Sequence, residues 1–82
     1  MKTFVIGDRT KDEWISVLDR EKKKLEFTNH LASAKGFRGF EETKDELKAL
    51  QAETGYFQDL QVYVLDEDNK AHRPDERDMM PW

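Results

Sequence analysis

The sequence predicts a single small α+β domain: a two- or three-stranded sheet with two helices packed on one face, in the order β-α-α-β(-β). Three observations favour this fold. The chain has 82 residues, which suffices for one domain with one core. A Thr-x-x-Glu motif, typical of a helix start, occurs twice, and a glycine that can end a helix follows each time. Residues 60–65 have the alternating apolar composition of a strand.

Three segments are predicted to be strands. Residues 2–7 form the first, because apolar side chains would occupy both of its faces. Residues 60–65 form the clearest strand, in which β-branched and aromatic side chains dominate. A short edge strand is expected at 70–73. The folded domain is therefore assigned to residues 1–73, and residues 74–82 to a flexible C-terminal tail.

The first helix is predicted over residues 11–34, with Thr10 to Glu13 as its capping box and Gly36 at its C-terminal end. Apolar side chains recur at roughly helical spacing in this segment, and no Gly or Pro interrupts it. The alternation at residues 25–28 would also suit a strand, but the uninterrupted segment favours the helix.

The second helix is predicted to begin at the second box, Thr43 to Glu46, and to end at Gly55. Tyr56 would then reach back to Leu50, as in a helix that ends in a Schellman motif. A Thr→Ala substitution in either box is expected to lower stability by about 1 kcal/mol.

The composition excludes several classes of function. Asp and Glu outnumber Lys and Arg by 18 to 14, and the formal net charge of −4 disfavours nonspecific nucleic-acid binding. The chain has no Cys, which excludes disulfides, zinc fingers, iron–sulfur ligation and thiol catalysis. No apolar run approaches the roughly 20 residues that span a bilayer. The apolar stretch at residues 4–6 is too short for a signal peptide. We therefore expect a cytoplasmic protein.

No residue pattern indicates catalysis or a cofactor. His30 and His72 lack a local partner motif such as His-x-x-x-His, and Ser16 and Ser33 do not lie in a nucleophile elbow. Residues 66–70 are similar to the start of a calcium loop, but the Gly and Glu needed at positions six and twelve are replaced by Ala and Arg. We therefore expect a non-enzymatic protein without a cofactor or a metal site.

One segment has features of a nucleic-acid-binding loop: Lys35, Gly36, Phe37, Arg38, Gly39 and Phe40. Aromatic rings stack on bases, basic side chains hold phosphates, and glycine lets the backbone approach. The Gly-x-x-Gly spacing resembles the loop that KH domains place between two helices, so a KH-like RNA or single-strand binder is an alternative function. The long first helix argues against it. The preferred interpretation makes Gly36 a helix cap and places Phe37 and Phe40 in the core.

Binding to a larger protein, which it would modulate or inhibit by occlusion, is the predicted function. Trp, Tyr, Arg and Met are common in interface cores. The predicted partner-binding residues are Trp14, Phe37, Arg38, Phe40, Tyr56 and Phe57, with Met79, Met80 and Trp82 at the apolar tip of the tail. Small charge-rich proteins of this kind are often encoded by phages and mobile elements. A further alternative is a structural homodimer whose surface pairs with its own copy.

Overall fold

The computed structural model describes residues 3–19, 21–66, 68 and 70–74. Their elements are β1 (Thr3–Asp8), β2 (Glu13–Asp19), β3 (Lys24–Thr28), a 3-10 turn (Leu31–Ser33), α1 (Phe40–Thr54), β4 (Gln61–Leu65) and β5 (Ala71–His72). The strands form a five-stranded antiparallel sheet in the order β3-β2-β1-β4-β5, with α1 on one face. Neither helical element in this part of the chain has the length and hydropathy needed to cross a membrane.

β1 lies at the centre of the sheet, where its apolar residues are buried on both faces. Phe4 and Ile6 pack on the helix side, and Val5 packs on the other side. β1 pairs with β4 at consecutive positions from Thr3 to Gly7, but its pairing with β2 is limited to two positions. The β1–β4 pair is therefore the longer of the two central pairings.

Gly7 allows β1 and β2 to approach closely. It lies opposite Trp14, and a Cβ atom at this position would overlap the Glu13 carbonyl oxygen and the Trp14 ring. Because a side chain has no space here, the register of the first hairpin depends on this glycine.

β2 contains a bulge at Ser16, where the register with β3 shifts by one residue. The bulge places both Ile15 and Leu18 on the helix side of the sheet, although they are three residues apart. In a regular strand, residues three apart would point to opposite faces. This part of β2 therefore has the apolar spacing of a helix.

Two turns of similar chemistry reverse the chain before and after β2. The carboxylate of Asp8 accepts a hydrogen bond from a backbone N–H of the first turn at 2.9 Å, and that of Asp19 does the same in the second at 3.1 Å. Asp12 and Lys23 adopt left-handed conformations, with φ angles of 54° and 53°. The chain thus reverses twice without Gly or Pro at these positions.

The segment after the 3-10 turn fills the gap where β1 and β2 diverge. The N–H of Lys35 donates to the carbonyl of Ile15 at 2.8 Å. Phe37 exchanges two backbone hydrogen bonds with Phe4, at 2.8 and 2.9 Å. Its side chain is buried in the core on the helix side. Residues 35–37 therefore tie the two strands together.

α1 packs across β1 and β4, with Leu47 and Leu50 against the sheet. Gly39 is its N-cap residue and supplies no side-chain cap. Thr43 is fully buried, and its hydroxyl donates to the Gly39 carbonyl at 2.6 Å. Gly55 ends the helix with a φ of 70°, a left-handed conformation that favours glycine.

A second, smaller core lies on the opposite face of the sheet. Trp14 and Tyr63 meet there edge to face, with their ring centroids 5.2 Å apart, beside Val5. Leu31 and Ala34, from the segment around the 3-10 turn, pack against this cluster. Both faces of the sheet are therefore at least partly covered.

The turn between β4 and β5 is organised by the side chain of Asp66. Its carboxylate accepts hydrogen bonds from the backbone N–H groups of Lys70 and Asp68, each at 2.9 Å. The Lys70 hydrogen bond, followed by the one from Asp68, lowers the pKa of the Asp66 carboxyl below its ordinary value of 3.8. The ionised carboxylate therefore favours this turn.

The structure confirms the α+β class, but the predicted architecture is wrong. Five antiparallel strands and one helix replace the predicted two helices on a two- or three-stranded sheet in the order β-α-α-β(-β). The predicted helix at 11–34 is instead β2, β3 and the 3-10 turn. Two physical causes explain the error. The bulge at Ser16 gives β2 a helical apolar spacing, and the turns on either side contain no Gly or Pro.

Neither Thr-x-x-Glu motif begins a helix. Thr10 lies in the turn before β2, and Thr43 lies inside α1, which begins at Phe40. Gly36, predicted to end the first helix, instead lies in the segment that joins β1 and β2. The prediction that Gly55 ends the second helix is confirmed.

The strands predicted at 2–7, 60–65 and 70–73 correspond to β1, β4 and β5. Within the predicted tail, the structure describes Pro74, which is buried. The rest of the tail, including Met79, Met80 and Trp82, lies outside the described residues.

Candidate functional site

Three aromatic side chains form a surface cluster where the chain leaves α1 and passes the outer strand β3. Tyr56 is 72% exposed and Phe27 is 38% exposed; they are the exposed large hydrophobic side chains in the described part of the chain. The half-buried Phe57 ring contacts both, with centroid distances of 5.6 Å to Phe27 and 6.4 Å to Tyr56. We call Phe27, Tyr56 and Phe57 the aromatic patch.

Phe57 adopts an unusual backbone conformation within the patch. Its φ is 67°, in the left-handed region that bulky side chains rarely occupy. Two hydrogen bonds to its carbonyl stabilise this conformation: Gln51 Nε2 donates at 3.0 Å and the Leu60 N–H at 3.2 Å. The backbone thus directs the Phe57 ring towards Phe27 at a local conformational cost.

α1 covers only part of its side of the sheet. Neighbouring strands lie about 4.8 Å apart and a helix is about 10 Å across, so one helix covers about two strands. α1 packs on β1 and β4, and no second α-helix lies over β2 and β3 in the described residues. Leu18 and Leu25 pair there and are half-buried, and Phe27 follows on the same face of β3.

Two adjoining clefts separate α1 from the β2–β3 half of the sheet. The first has a volume of about 540 Å³ and is lined by residues of α1, of the end of β2 and of the β2–β3 turn. The second has a volume of about 330 Å³ and reaches Lys35 and Arg38. Leu18 and Glu46 line both clefts, so together they form one groove.

Carboxylates dominate the lining of this groove. Asp19 contributes from the end of β2, Glu21 from the β2–β3 turn, and Glu42, Glu46 and Glu53 from α1. The three helix residues fall within about 40° of one another around the helix axis. We call this cleft, with its Leu18 floor, the acidic groove. Its chemistry suits a cationic, partly apolar ligand.

The predicted partner-binding residues that the structure describes do not form one surface. Trp14 is 2% exposed and lies in the core opposite the helix, where its ring N–H donates to Asp12 at 3.0 Å. Phe37 is 7% exposed and lies in the core on the helix side. Phe40 is half-buried, with its ring 6.2 Å from that of Phe4, and Arg38 is exposed. Tyr56 and Phe57 are the predicted residues that the structure brings together on the surface.

The segment 35–40 does not have the structure on which the KH-like hypothesis depended. Gly36 directly precedes Phe37, which forms an isolated bridge with Phe4, and Gly39 caps α1, so the Gly-x-x-Gly motif does not connect two α-helices. The Lys35 ammonium group lies 5.7 Å from the centroid of the Phe37 ring, which is buried. The Phe37 ring is therefore not presented for base stacking.

The two histidines lie outside the groove. His30 is exposed just before the 3-10 turn, and His72 is exposed in β5. No group of three or more His, Asp and Glu side chains arranged to hold a metal ion occurs in the part of the chain that the structure describes.

The sequence patterns did not predict Phe27, Leu18 or the acidic stripe on α1 as site residues. The first two were assigned to a helix, which hid their common face. The alternation of Leu25 and Phe27 was the signal that could have placed Phe27 on a strand. The stripe could have been found from the spacing of Glu42, Glu46 and Glu53.

Comparisons with protein family models, with curated protein sequences and with solved structures found no match to this chain.

Proposed function

We propose that the protein binds a larger protein partner through the aromatic patch and modulates it by occlusion, without catalysis. The main support is that Tyr56 and Phe27 are both exposed and both contact the Phe57 ring. Aromatic residues are enriched in interface cores, and burying one removes a large apolar area from water. A partner that covers the patch would remove this unfavourable exposure.

The conformation of Phe57 also supports the proposal. Residues in sparsely populated backbone conformations cluster at sites of binding and catalysis. Here the left-handed Phe57 fixes the ring against which both exposed side chains pack. A surface that is ordered in this way loses little conformational entropy on binding.

The proposed location is the cytoplasm and the proposed consequence of binding is inhibition of the partner. The charge-rich, cysteine-free composition supports the location. A standard interface of roughly 800 Å² per partner is a large area for a domain of this size, so a bound copy would block access to the surface beneath it.

Affinity capture with matched variants tests this function. Nuclease-treated lysate of the source cells is incubated with the tagged wild type and with three tagged variants: Tyr56→Ser, Phe27→Ser and the control His30→Ser. We expect the wild type and the control to retain the same protein. The two patch variants should retain roughly 30-fold less of it, as for a contact residue worth about 2 kcal/mol.

Stability measurements separate lost binding from lost folding. Because Tyr56 is mostly exposed, Tyr56→Ser should unfold within about 0.5 kcal/mol of the wild type. Equal capture by wild type and patch variants would refute the proposal. Nucleic acid recovered from lysate without nuclease, or recovery of the bait's own copies alone, would favour one of the two alternative functions instead.

A further inference from the structure

We propose that the segment of the partner which reaches this surface is an amphipathic helix rich in Lys and Arg. It lies in the acidic groove as a second helix beside α1. This inference rests on the proposed protein-binding function and adds the chemistry of the partner.

The space over β2 and β3 has the dimensions of a helix. At a spacing of about 4.8 Å per strand, these two strands make up about 10 Å of the sheet's width, which equals the diameter of one helix. Packed helices lie 8–10 Å apart, so a helix over β2 and β3 would contact α1 over β1 and β4. The α1 side of the groove, from Glu42 to Glu53, is about 16 Å long, or three helical turns.

Leu18, the apolar floor of the groove, connects to the aromatic patch through its cross-strand partner Leu25, which does not itself line either cleft. Leu18 and Leu25 form a cross-strand pair on the helix side of the sheet, and both are half-buried. Phe27 lies two residues beyond Leu25 on the same face of β3, where it contacts Phe57. An apolar stripe on the partner helix would bury these side chains, which α1 leaves partly exposed.

The charges beside this floor determine which helix fits. Carboxylates border it along α1, at Glu42, Glu46 and Glu53, and at the turn end of β2, at Asp19 and Glu21. A helix with Lys and Arg beside its apolar stripe would pair with both groups of carboxylates. An acidic helix would be repelled by both.

The basic end of the groove sets the direction of the bound helix. Lys35 and Arg38 line the end near the start of α1. The C-terminal end of a helix has a partial negative charge, so it favours cations nearby. The partner helix should therefore place its C-terminal end beside Arg38 and lie antiparallel to α1.

A second copy of this chain is a poorer occupant. α1 is the α-helix of the described residues, and the face that borders the groove has three glutamates. Placing the α1 of another copy in the groove would bring carboxylates against carboxylates. The charge pattern thus favours a different, cationic chain.

The test uses a synthetic peptide of about 14 residues, which is about 21 Å long as a helix. It consists of Leu and Lys, with leucines at helical spacing. A Leu/Glu peptide with the same pattern and a scrambled Leu/Lys peptide are the controls. Binding to the full chain is measured by calorimetry and mapped by NMR chemical shifts. We expect the patterned Leu/Lys peptide alone to bind, with shifts at Leu18, Leu25 and Glu46.

Two triple variants separate the groove from general charge attraction. Glu42→Gln, Glu46→Gln and Glu53→Gln together should weaken binding about tenfold. The control combines Glu13→Gln, Asp59→Asn and Asp68→Asn, which are exposed residues that do not line the groove. It removes the same charge and should change binding less than twofold. A spin label on the C-terminus of the peptide should broaden the NMR signals of Arg38, whereas one on the N-terminus should not.

Several outcomes would overturn the inference. These are no binding of the patterned peptide at about 1 mM, equal loss in both triple variants, shifts confined to other surfaces, or a dimer that buries the groove. The proposed function fails separately. If the peptide does not bind but capture still requires Tyr56, the protein-binding function stands and the groove assignment is wrong. If the peptide binds and capture does not require Tyr56, the groove assignment stands and the proposed function of the aromatic patch is wrong.

Discussion

Gly7→Ala should destabilise the protein strongly, because the new methyl group has no space between β1 and β2. A Cβ at this position would lie 3.0 Å from the Trp14 Cα and closer still to the Glu13 carbonyl oxygen and the Trp14 ring. Ordinary van der Waals contacts of a Cβ atom are 3.4–4 Å long. The Trp14 ring cannot easily move, since it is buried against Tyr63. The two strands must therefore separate where they are paired.

The magnitude follows from the kind of obstacle. Overpacking typically lowers the free energy of unfolding by about 1–3 kcal/mol. Because the Glu13 carbonyl oxygen is a backbone atom that cannot rotate away, we expect a loss of about 3 kcal/mol here. The lower entropy of the unfolded chain with Ala offsets up to about 1 kcal/mol. A net loss of about 2 kcal/mol would lower Tm by about 8–16 °C in a domain of this size.

Urea denaturation and thermal melting followed by circular dichroism measure this loss, with Gly36→Ala as the matched control. A Cβ on Gly36 would lie 2.8 Å from the Thr3 side chain, which is exposed and can rotate away. The control should therefore cost less than about 1 kcal/mol. If Gly7→Ala melts with the wild type, or no lower than Gly36→Ala, then the close β1–β2 packing described above is incorrect.

Three further predictions concern α1 and the β4–β5 turn. Gly39→Ser should raise the free energy of unfolding by about 0.5 kcal/mol, because it adds the missing side-chain cap at a position with open space; a lower Tm would contradict this. Thr43→Val should lower the free energy of unfolding by about 1 kcal/mol, because the hydrogen bond from the Thr43 hydroxyl to the Gly39 carbonyl is lost while the side-chain shape is kept. An unchanged urea denaturation midpoint would show that this hydrogen bond contributes nothing to stability. The pKa of Asp66 is lowered in the folded state, so its stabilising contribution is present above pH 3.8 and is lost as the pH falls through the folded pKa. The stability difference between the wild type and Asp66→Ala should therefore be constant near neutral pH and shrink in acid, and a difference that grows in acid would refute the assignment.

The parts of the fold that the sequence predicted correctly have strong local signals. β4 is a run of β-branched and aromatic residues, and Gly55 can adopt the left-handed conformation that ends α1. These features act within a few residues of one another. Their structural effect is therefore visible without knowledge of the tertiary contacts.

The region from Thr10 to Lys35 could not be predicted in this way, because its signals are contradictory. Asp12 and Lys23 occupy left-handed turn conformations, which the residue types at these two positions did not predict. The bulge at Ser16 depends on pairing with β3, which is a tertiary interaction. Thr10-x-x-Glu has the letters of a capping box, but here the β1–β2 turn uses Asp8 to bind its backbone N–H groups.

The candidate site was partly predictable for the same reason. Tyr56 and Phe57 follow the end of α1, so their position near the surface was set by the correctly predicted Gly55. Phe27 was missed because it joins the patch only through the β2–β3 hairpin. Trp14 was assigned to the surface from its residue type, but its burial depends on contacts with Tyr63 from a distant strand.

The central position of β1 has a consequence for how the chain folds. Its longer pairing is with β4, and the pairing of Gly7 with Gln61 closes a loop of about 54 residues. The entropic cost of that closure, on the order of 3–4 kcal/mol, precedes the contacts between β1 and β4. The rate-limiting step should therefore be the meeting of these two distant strands, and the protein should fold more slowly than a helical bundle of equal length.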